Sequence, residues 1–243
     1  MALNQMSKKV TNGIWRIIPS PFITEIIAQA GYDFQIFDCE HGAYDYAQLS
    51  NEIIACQNQK CKPIVRVSGI NKVEVQRCLD LGARGIVFPS LSSFSDFETA
   101  TKLLDYAPNG TRGFNPFVKA CDYGSKKVGE VQTPECITII ETLEAVKQLD
   151  KILTLTRIDM FYIGSYDLSA QLNCIGKMDS PKLIKTTKEI IAKVKAKGKK
   201  IGILVHDKKT YDYYKDLGVT TFVHSVESFK IKKYFQSNLQ EFK

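Results

Sequence analysis

The stretch KPIVRVSGINKVEVQRCLDLGARGIVFPS, residues 62–90, decides the fold. It opens with a strand-like apolar run over 62–68 and closes with another over 85–90. Between them, apolar residues recur at helical spacing as far as Gly82, and glycine is the residue that most often ends a helix. Parallel strands need a long crossover connection, usually a helix. The stretch therefore predicts one β-α-β unit.

The same alternation of strands and helices continues in both directions along the chain. The other predicted strands cover 13–18, 34–38, 136–142, 160–165, 200–206 and 220–225. Helices are predicted over 22–31, 45–58, 95–105, 143–153 and 208–217, from Ser180-Pro181 onward, and at the C-terminus, whereas 107–134 is a long excursion. Eight β-then-α units predict a single-domain (β/α)8 TIM barrel over 1–243. An open doubly wound sheet is the alternative, but no GxGxxG motif follows the first strand.

Composition and charge exclude several classes of protein. The chain is 44% hydrophobic with a net charge of +7, and no apolar run reaches the roughly 18 residues that a membrane span requires. The lysines are diffuse except over 188–200, where they read as the solvated face of a helix, so we expect no nucleic-acid partner. The start, MALNQMSKKV, lacks the apolar core of a signal peptide, which predicts a cytoplasmic protein.

The seven cysteines are scattered and include no CxxC pair. A thiolate zinc site is therefore not expected. Several of them stand in apolar strand-like or helix-like patterns, which favours buried, reduced thiols.

Polar side chains end most of the predicted strands, and in a barrel these ends form the catalytic face. They are Asp38, Glu40, His41, Arg66, Glu141, Asp167, His206 and His224. Glu141 is the least ordinary, because its strand is otherwise nearly all apolar and a carboxylate there needs a partner. For His206 and His224, a solvated loop group and a functional group are equally good interpretations.

Glu141 and Asp167 come from adjacent strands and could share a hard divalent cation through their oxygens. An arginine can hold an oxyanion, and a histidine can move protons near neutral pH. These parts favour carbon–carbon bond chemistry through a metal-stabilised enolate. No predicted strand ends in lysine, which argues against a Schiff-base mechanism.

A set of short motifs in this order resembles the HpcH/HpaI aldolase family of metal-dependent pyruvate aldolases. They are GIWRIIPSP with Trp15, FDCEH, PIVRV, LDLGARGIVFP, YAPNGTRGF, IIET, YIGSYDLS and GKKIGIL. The resemblance covers nearly the whole chain. It implies a (β/α)8 barrel in a homo-oligomer, typically a hexamer, with the last helix exchanged between subunits.

The resemblance also implies roles for individual residues. Glu141 and Asp167 would ligate Mg2+, Mn2+ or Co2+, which would chelate pyruvate, and Arg66 would hold the keto oxygen as it becomes an enolate. His41, with a water, would transfer the proton at the C4 hydroxyl of the product formed with an aldehyde. The backbone over 164–166 would cradle the pyruvate carboxylate.

Asp38 and Asp80 would be supporting carboxylates. Asp80 lies near the end of a predicted helix rather than a strand, so it would act from a subunit contact.

Several residues of the expected substrate pocket depart from the family pattern. Ile139 replaces a glutamine, Cys39 replaces a glycine, and Ser165 and Tyr166 follow Gly164 in place of proline and a small residue. His224 stands where relatives carry an apolar residue. Since the metal and base positions persist, we expect the pyruvate half-reaction with a different, polar aldehyde. A related CoA-ester or phosphoenolpyruvate-type lyase or mutase, and a catalytically inactive scaffold, are the alternatives.

Overall fold

The computed structural model describes residues 10–243 and contains a closed barrel of eight parallel strands. Each strand pairs with the next along the chain, and the last pairs with the first. The predicted (β/α)8 barrel is therefore confirmed. The strands are β1 Thr11–Arg16, β2 Phe34–Asp38, β3 Lys62–Arg66, β4 Gly85–Phe88, β5 Glu135–Ile140, β6 Met160–Ile163, β7 Lys200–Leu204 and β8 Thr221–Val226.

Ten α-helices surround the strands within the described residues, and most begin where the sequence offers a cap. Side chains of Ser20, Asp45, Asn71 and Asp207 accept hydrogen bonds from the first turn of their helices. The helices are α1 Pro21–Gln29, α2 Tyr46–Asn58, α3 Lys72–Asp80, α4 Phe94–Lys102, α5 Leu143–Lys147, α6 Leu149–Ile152, α7 Ser165–Gln171, α8 Pro181–Ala196, α9 Lys208–Asp216 and α10 Glu227–Gln240.

The helices differ from the prediction in three places. The helix expected over 143–153 is divided into α5 and α6 at Gln148, whose ψ of 4° leaves the helical range. A short helix that the sequence did not predict, α7, follows β6 directly. Ser180 precedes α8 as expected, but its side chain forms no capping hydrogen bond. The excursion over 107–134 contains two short 3-10 turns, Lys119–Gly124 and Val128–Glu130.

The core has two layers because side chains alternate across each strand. The inner layer fills the barrel and includes Trp15, Ile36, Ile64, Val87, Ile137, Ile139, Tyr162 and Val223. The outer layer packs the strands against the helices and contains most of the other buried apolar residues. The inner layer thus forms the floor beneath the C-terminal face, where the polar strand ends meet.

A buried ionic network joins the end of β1 to β2 and to the last helix. Arg16 is fully buried and donates to Gln35 Oε1 at 2.7 Å, and its Nε lies 3.5 Å from Glu227 Oε1. Glu227 also accepts the backbone N–H groups of Ile17 and Ile18, both at 2.7 Å. This network holds the start of α10 against the loop after β1, which borders the C-terminal face.

All seven cysteines are free, and six of them are buried, as the sequence predicted. Among the helices of residues 10–243, none is long and apolar enough to cross a membrane. The signal-peptide prediction concerns a segment that lies almost entirely outside the described residues.

Candidate active site

The C-terminal ends of the strands enclose a cavity of about 580 Å³. Its lining brings together most of the predicted site: Trp15, Asp38, His41, Arg66, Ile139, Glu141, Gly164, Ser165, Tyr166 and Asp167. A second cavity, of about 620 Å³, opens at the opposite face and is lined by Lys62, Glu135 and Lys199 among others. Because TIM barrels carry their chemistry at the C-terminal face, the first cavity is the candidate active site.

One wall of this cavity is built around the pair Asp38 and Arg66. Arg66 binds Asp38 through two hydrogen bonds, of which the Nε to Oδ1 distance is 2.9 Å. Arg66 NH1 lies 2.7 Å from Glu40 Oε2, and its guanidinium stacks over the Trp15 ring at 4.8 Å. Trp15 Nε1 donates to Asp38 at 2.9 Å. These contacts hold the guanidinium in one orientation facing the cavity.

The pKa of Asp38 lies below its usual value although burial alone would raise it, because the hydrogen bonds and charge of Arg66 outweigh burial. Asp38 therefore stays ionised at neutral pH. Its carboxylate also accepts the backbone N–H groups of Glu40 and His41, at 3.0 and 3.1 Å. The same side chain thus orients Arg66 and shapes the loop that carries His41.

Glu141 follows β5 directly and is 6% exposed. Burial raises the pKa of its carboxyl to about 7, against the effect of a hydrogen bond from the Ser90 backbone N–H. The charges of Asp167 and Glu40 raise it further. Ser90 has a φ of 58°, a strained conformation for a residue other than glycine. A buried carboxylate on which two other negative charges act is a site that a cation would stabilise.

Asp167 lies in the first turn of α7, immediately after β6. No side chain caps this helix, and residues 164–166 at its start all line the cavity. A Cβ atom on Gly164 would lie 2.7 Å from Glu141 Oε2, so only glycine allows this approach of β6 to the carboxylate. No cluster of three or more metal-ligating side chains is found in the described chain.

His41 reaches into solvent from the loop after β2, and its side chain is 72% exposed. Its Nε2 lies 3.8 Å from Glu40 Oε2.

Cys39, two residues before His41, has no positive φ, so it carries none of the strain that the replacement of a glycine could have caused. The close approach in this loop falls instead at Gly42, where a Cβ would lie 2.3 Å from the Asp38 carbonyl oxygen.

Two predicted site residues lie away from this cavity. His224 Nε2 donates to Asn12 Oδ1 at 2.8 Å, and its ring stacks on Tyr211 of α9. Val223 points into the barrel, so strand alternation turns His224 toward the helices. Asp80 ends α3 and is paired with Arg112 at 3.0 Å.

His206 lines the cavity, although neither its position nor the family resemblance assigned a role to it. Its Nε2 lies 2.9 Å from the Tyr166 hydroxyl, and its Nδ1 lies 3.1 Å from Ser225 Oγ. Ser225 is fully buried at a φ of 68°. Burial lowers the pKa of His206, aided by Lys230 and Lys233, so its imidazole is neutral at pH 7. The position of His206 at a strand end was the available signal.

Comparison with known proteins gives consistent results. The model of the family described as HpcH/HpaI aldolase/citrate lyase matches residues 12–230. A 4-hydroxy-2-oxovalerate aldolase from Novosphingobium aromaticivorans is 31% identical over 91% of this chain and 86% of that protein. A pyruvate aldolase from Rhizobium etli is 29% identical over 80% and 78%. The crystal structure of a HpcH/HpaI aldolase/citrate lyase family protein from Burkholderia cenocepacia J2315 has a TM-score of 0.92 at 25% identity, covering 96% and 95% of the chains.

Proposed function

The chain belongs to the HpcH/HpaI aldolase/citrate lyase family and is a lyase, and on this premise we propose that it makes or breaks the carbon–carbon bond between a pyruvate enolate and an aldehyde with the help of a divalent cation. The observation that carries the proposal is the buried Glu141, whose charge is disfavoured beside Asp167 and Glu40. Two relatives whose names specify a 2-oxo acid substrate or product support the choice of pyruvate.

Mg2+, Mn2+ or Co2+ fits this donor set, because hard cations prefer carboxylate oxygens. Glu141 and Asp167 would hold the ion. A cation bound there would stabilise the negative charge that develops on the keto oxygen when pyruvate loses a methyl proton.

The remaining residues bind and orient the substrate. Arg66, fixed by Asp38 and Trp15, directs positive charge at the keto oxygen. The backbone N–H groups of Ser165 and Tyr166 would donate hydrogen bonds to the pyruvate carboxylate, whereas the Gly164 N–H already donates to the Ile140 carbonyl oxygen at 3.1 Å. His41 is exposed at the mouth and would exchange protons through a water.

The aldehyde would occupy the other half of the cavity. This half presents Tyr166, His206, Thr210, Tyr214 and Phe229. Arg66 is the only arginine or lysine among the described residues that line the cavity, and it is already paired with carboxylates. A neutral aldehyde with hydroxyl groups therefore suits this half better than an anionic one.

Asp80 would contribute only to the site of a neighbouring copy, because it lies outside this cavity. That role requires the homo-oligomer, a hexamer with an exchanged last helix, that the family resemblance implies. The free cysteines favour a reducing compartment, and we propose the cytoplasm.

Exchange of the pyruvate methyl protons in deuterated buffer tests the proposal without knowledge of the aldehyde. We expect Mn2+-dependent exchange that Glu141→Ala abolishes. Glu189→Ala, which removes an exposed carboxylate on α8, should leave exchange unchanged. The proposal is wrong if the unsubstituted protein with Mn2+ incorporates no deuterium.

The exchange experiment tests one of the two alternatives, and the lining of the cavity bears on the other. An inactive scaffold would give neither exchange nor metal-dependent pyruvate binding. A CoA-ester lyase would need cations at the mouth for the CoA phosphates, and no free lysine or arginine lines the cavity within residues 10–243.

A further inference from the structure

One buried phenol on the floor of the cavity has no hydrogen-bond partner among the described residues. Tyr162 lies on β6, is 4% exposed and lines the cavity. Its ring packs against Trp15, with ring centroids 5.4 Å apart. Arg66, Tyr166 and Glu141 are near enough for their charges to act on its hydroxyl. The unpartnered hydroxyl thus lies among the groups that the proposed reaction uses.

The barrel makes room for this ring at a neighbouring glycine. Gly202 of β7 is the register partner of Tyr162. A Cβ atom on Gly202 would lie 2.8 Å from the Tyr162 ring, although the backbone there does not require glycine. Glycine inside a strand weakens it and often marks a close approach. The space it leaves is filled by the tyrosine ring.

The hydroxyl is costly to the folded protein as it stands. A buried polar group without a partner loses its hydration and gains nothing in return. Phenylalanine would fill the same space without that cost. Burial also raises the pKa of Tyr162, so the phenol is a neutral donor throughout the physiological range.

The other donors on this side of the cavity are already engaged. The Trp15 indole N–H is bound to Asp38, and the Arg66 guanidinium is shared between Asp38 and Glu40. The Tyr162 hydroxyl is therefore the donor on this side of the cavity that none of the described residues engages.

We propose that the Tyr162 hydroxyl donates a hydrogen bond to an oxygen of the bound 2-oxo acid. The inference rests on the proposed function and adds a residue to it. A fixed neutral donor of this kind stabilises an oxygen on which negative charge grows, without reorganisation during the reaction. It would make Tyr162 a substrate-binding catalytic residue at the deepest point of the site.

Tyr162→Phe tests this proposal through two measurements, thermal stability and exchange kinetics. A purely structural role of the hydroxyl would lower both of them in the variant. In the metal-free protein, we expect the midpoint of thermal unfolding to stay equal or rise, because the orphaned hydroxyl is gone. With Mn2+ and pyruvate, we expect kcat/KM for methyl proton exchange to fall about ten- to a hundredfold, the size of a hydrogen bond to a charged group. Tyr106→Phe is the control, since Tyr106 packs over Arg112 outside the cavity, and its exchange kinetics should match the unsubstituted protein.

Two results would overturn the inference while leaving the proposed function intact. One is exchange kinetics of Tyr162→Phe within twofold of the unsubstituted protein, which would mean that the hydroxyl meets only water. The other is a clear loss of stability of the metal-free variant, which would reveal a protein partner. Absence of exchange in the unsubstituted protein would instead overturn the proposed function, and this inference with it.

Discussion

Replacing Glu141 with glutamine should stabilise the metal-free protein at alkaline pH. Glu141→Gln keeps the shape of the side chain and an oxygen for the Ser90 N–H group, but it removes the charge. A rise in pKa from 4.5 to about 7 corresponds to about 3 kcal/mol, at 1.36 kcal/mol for each pH unit. Once Glu141 is ionised in both the folded and the unfolded protein, its carboxylate therefore lowers the free energy of unfolding of the wild type by about 3 kcal/mol.

The pH dependence follows from the sign of this shift. The folded protein binds the Glu141 proton more tightly than the unfolded chain, so stability falls as pH rises through the window from 4.5 to about 7. Glutamine does not titrate. The variant should therefore gain about 1 kcal/mol over wild type at pH 5 and about 3 kcal/mol at pH 8. For a chain of this length, the latter is a rise of roughly 6–12 °C in Tm.

Thermal unfolding with EDTA at the two pH values measures this gain. The comparison uses the difference between variant and wild type, because other buried carboxyls such as Glu52 also have a raised pKa. Glu189→Gln on the exposed face of α8 is the matched control and should show no pH-dependent difference. A gain of equal size at pH 5 and pH 8, or a variant less stable than wild type at pH 8, would refute the reasoning. Added Mn2+ should stabilise wild type alone.

Three further perturbations follow from the geometry. Arg66→Lys removes the two-point contact with Asp38. Proton exchange of pyruvate should therefore slow by at least about tenfold, while the midpoint of thermal unfolding changes little. Equal exchange rates in the variant and the wild type would contradict the role of the fixed guanidinium. Arg16→Met leaves Glu227 buried without its counter-charge, and urea unfolding should show a loss of about 3–5 kcal/mol. Burial raises the pKa of Cys39 to about 12, so native protein at pH 7.5 should resist iodoacetamide, and rapid labelling of that thiol would show an open loop.

The barrel itself could be predicted because each strand and helix carries its own periodicity and its own end signals. Gly82 ends α3 with a φ of 102°, as its position after the apolar pattern indicated. The division at Gln148 and the short helix α7 escaped prediction, since neither begins at a proline or at a side chain that caps the helix. Packing against neighbouring elements decides such boundaries.

The placement of a side chain at the C-terminal face could be predicted where the residue ends a strand or directly follows one, as Asp38 and Glu141 do. His224 was placed at the C-terminal face from residue order alone. The alternation of side chains along β8 instead turns it toward the surrounding helices. The roles inferred for His206 and Tyr162 depend on contacts that only the folded structure reveals. His206 has a hydrogen-bond partner in Tyr166, whereas the Tyr162 hydroxyl has none among the described residues.

The seam between β1 and β8 has a consequence for synthesis on the ribosome. Thr11 and Thr221 share a hydrogen bond across 210 positions of the chain. At translation rates of about 5–20 residues per second, β1 waits roughly 10–40 s for its partner. Throughout that time its unpaired edge is open to other nascent chains. A pause in synthesis anywhere between β1 and β8 lengthens this wait and should therefore lower the yield of native protein.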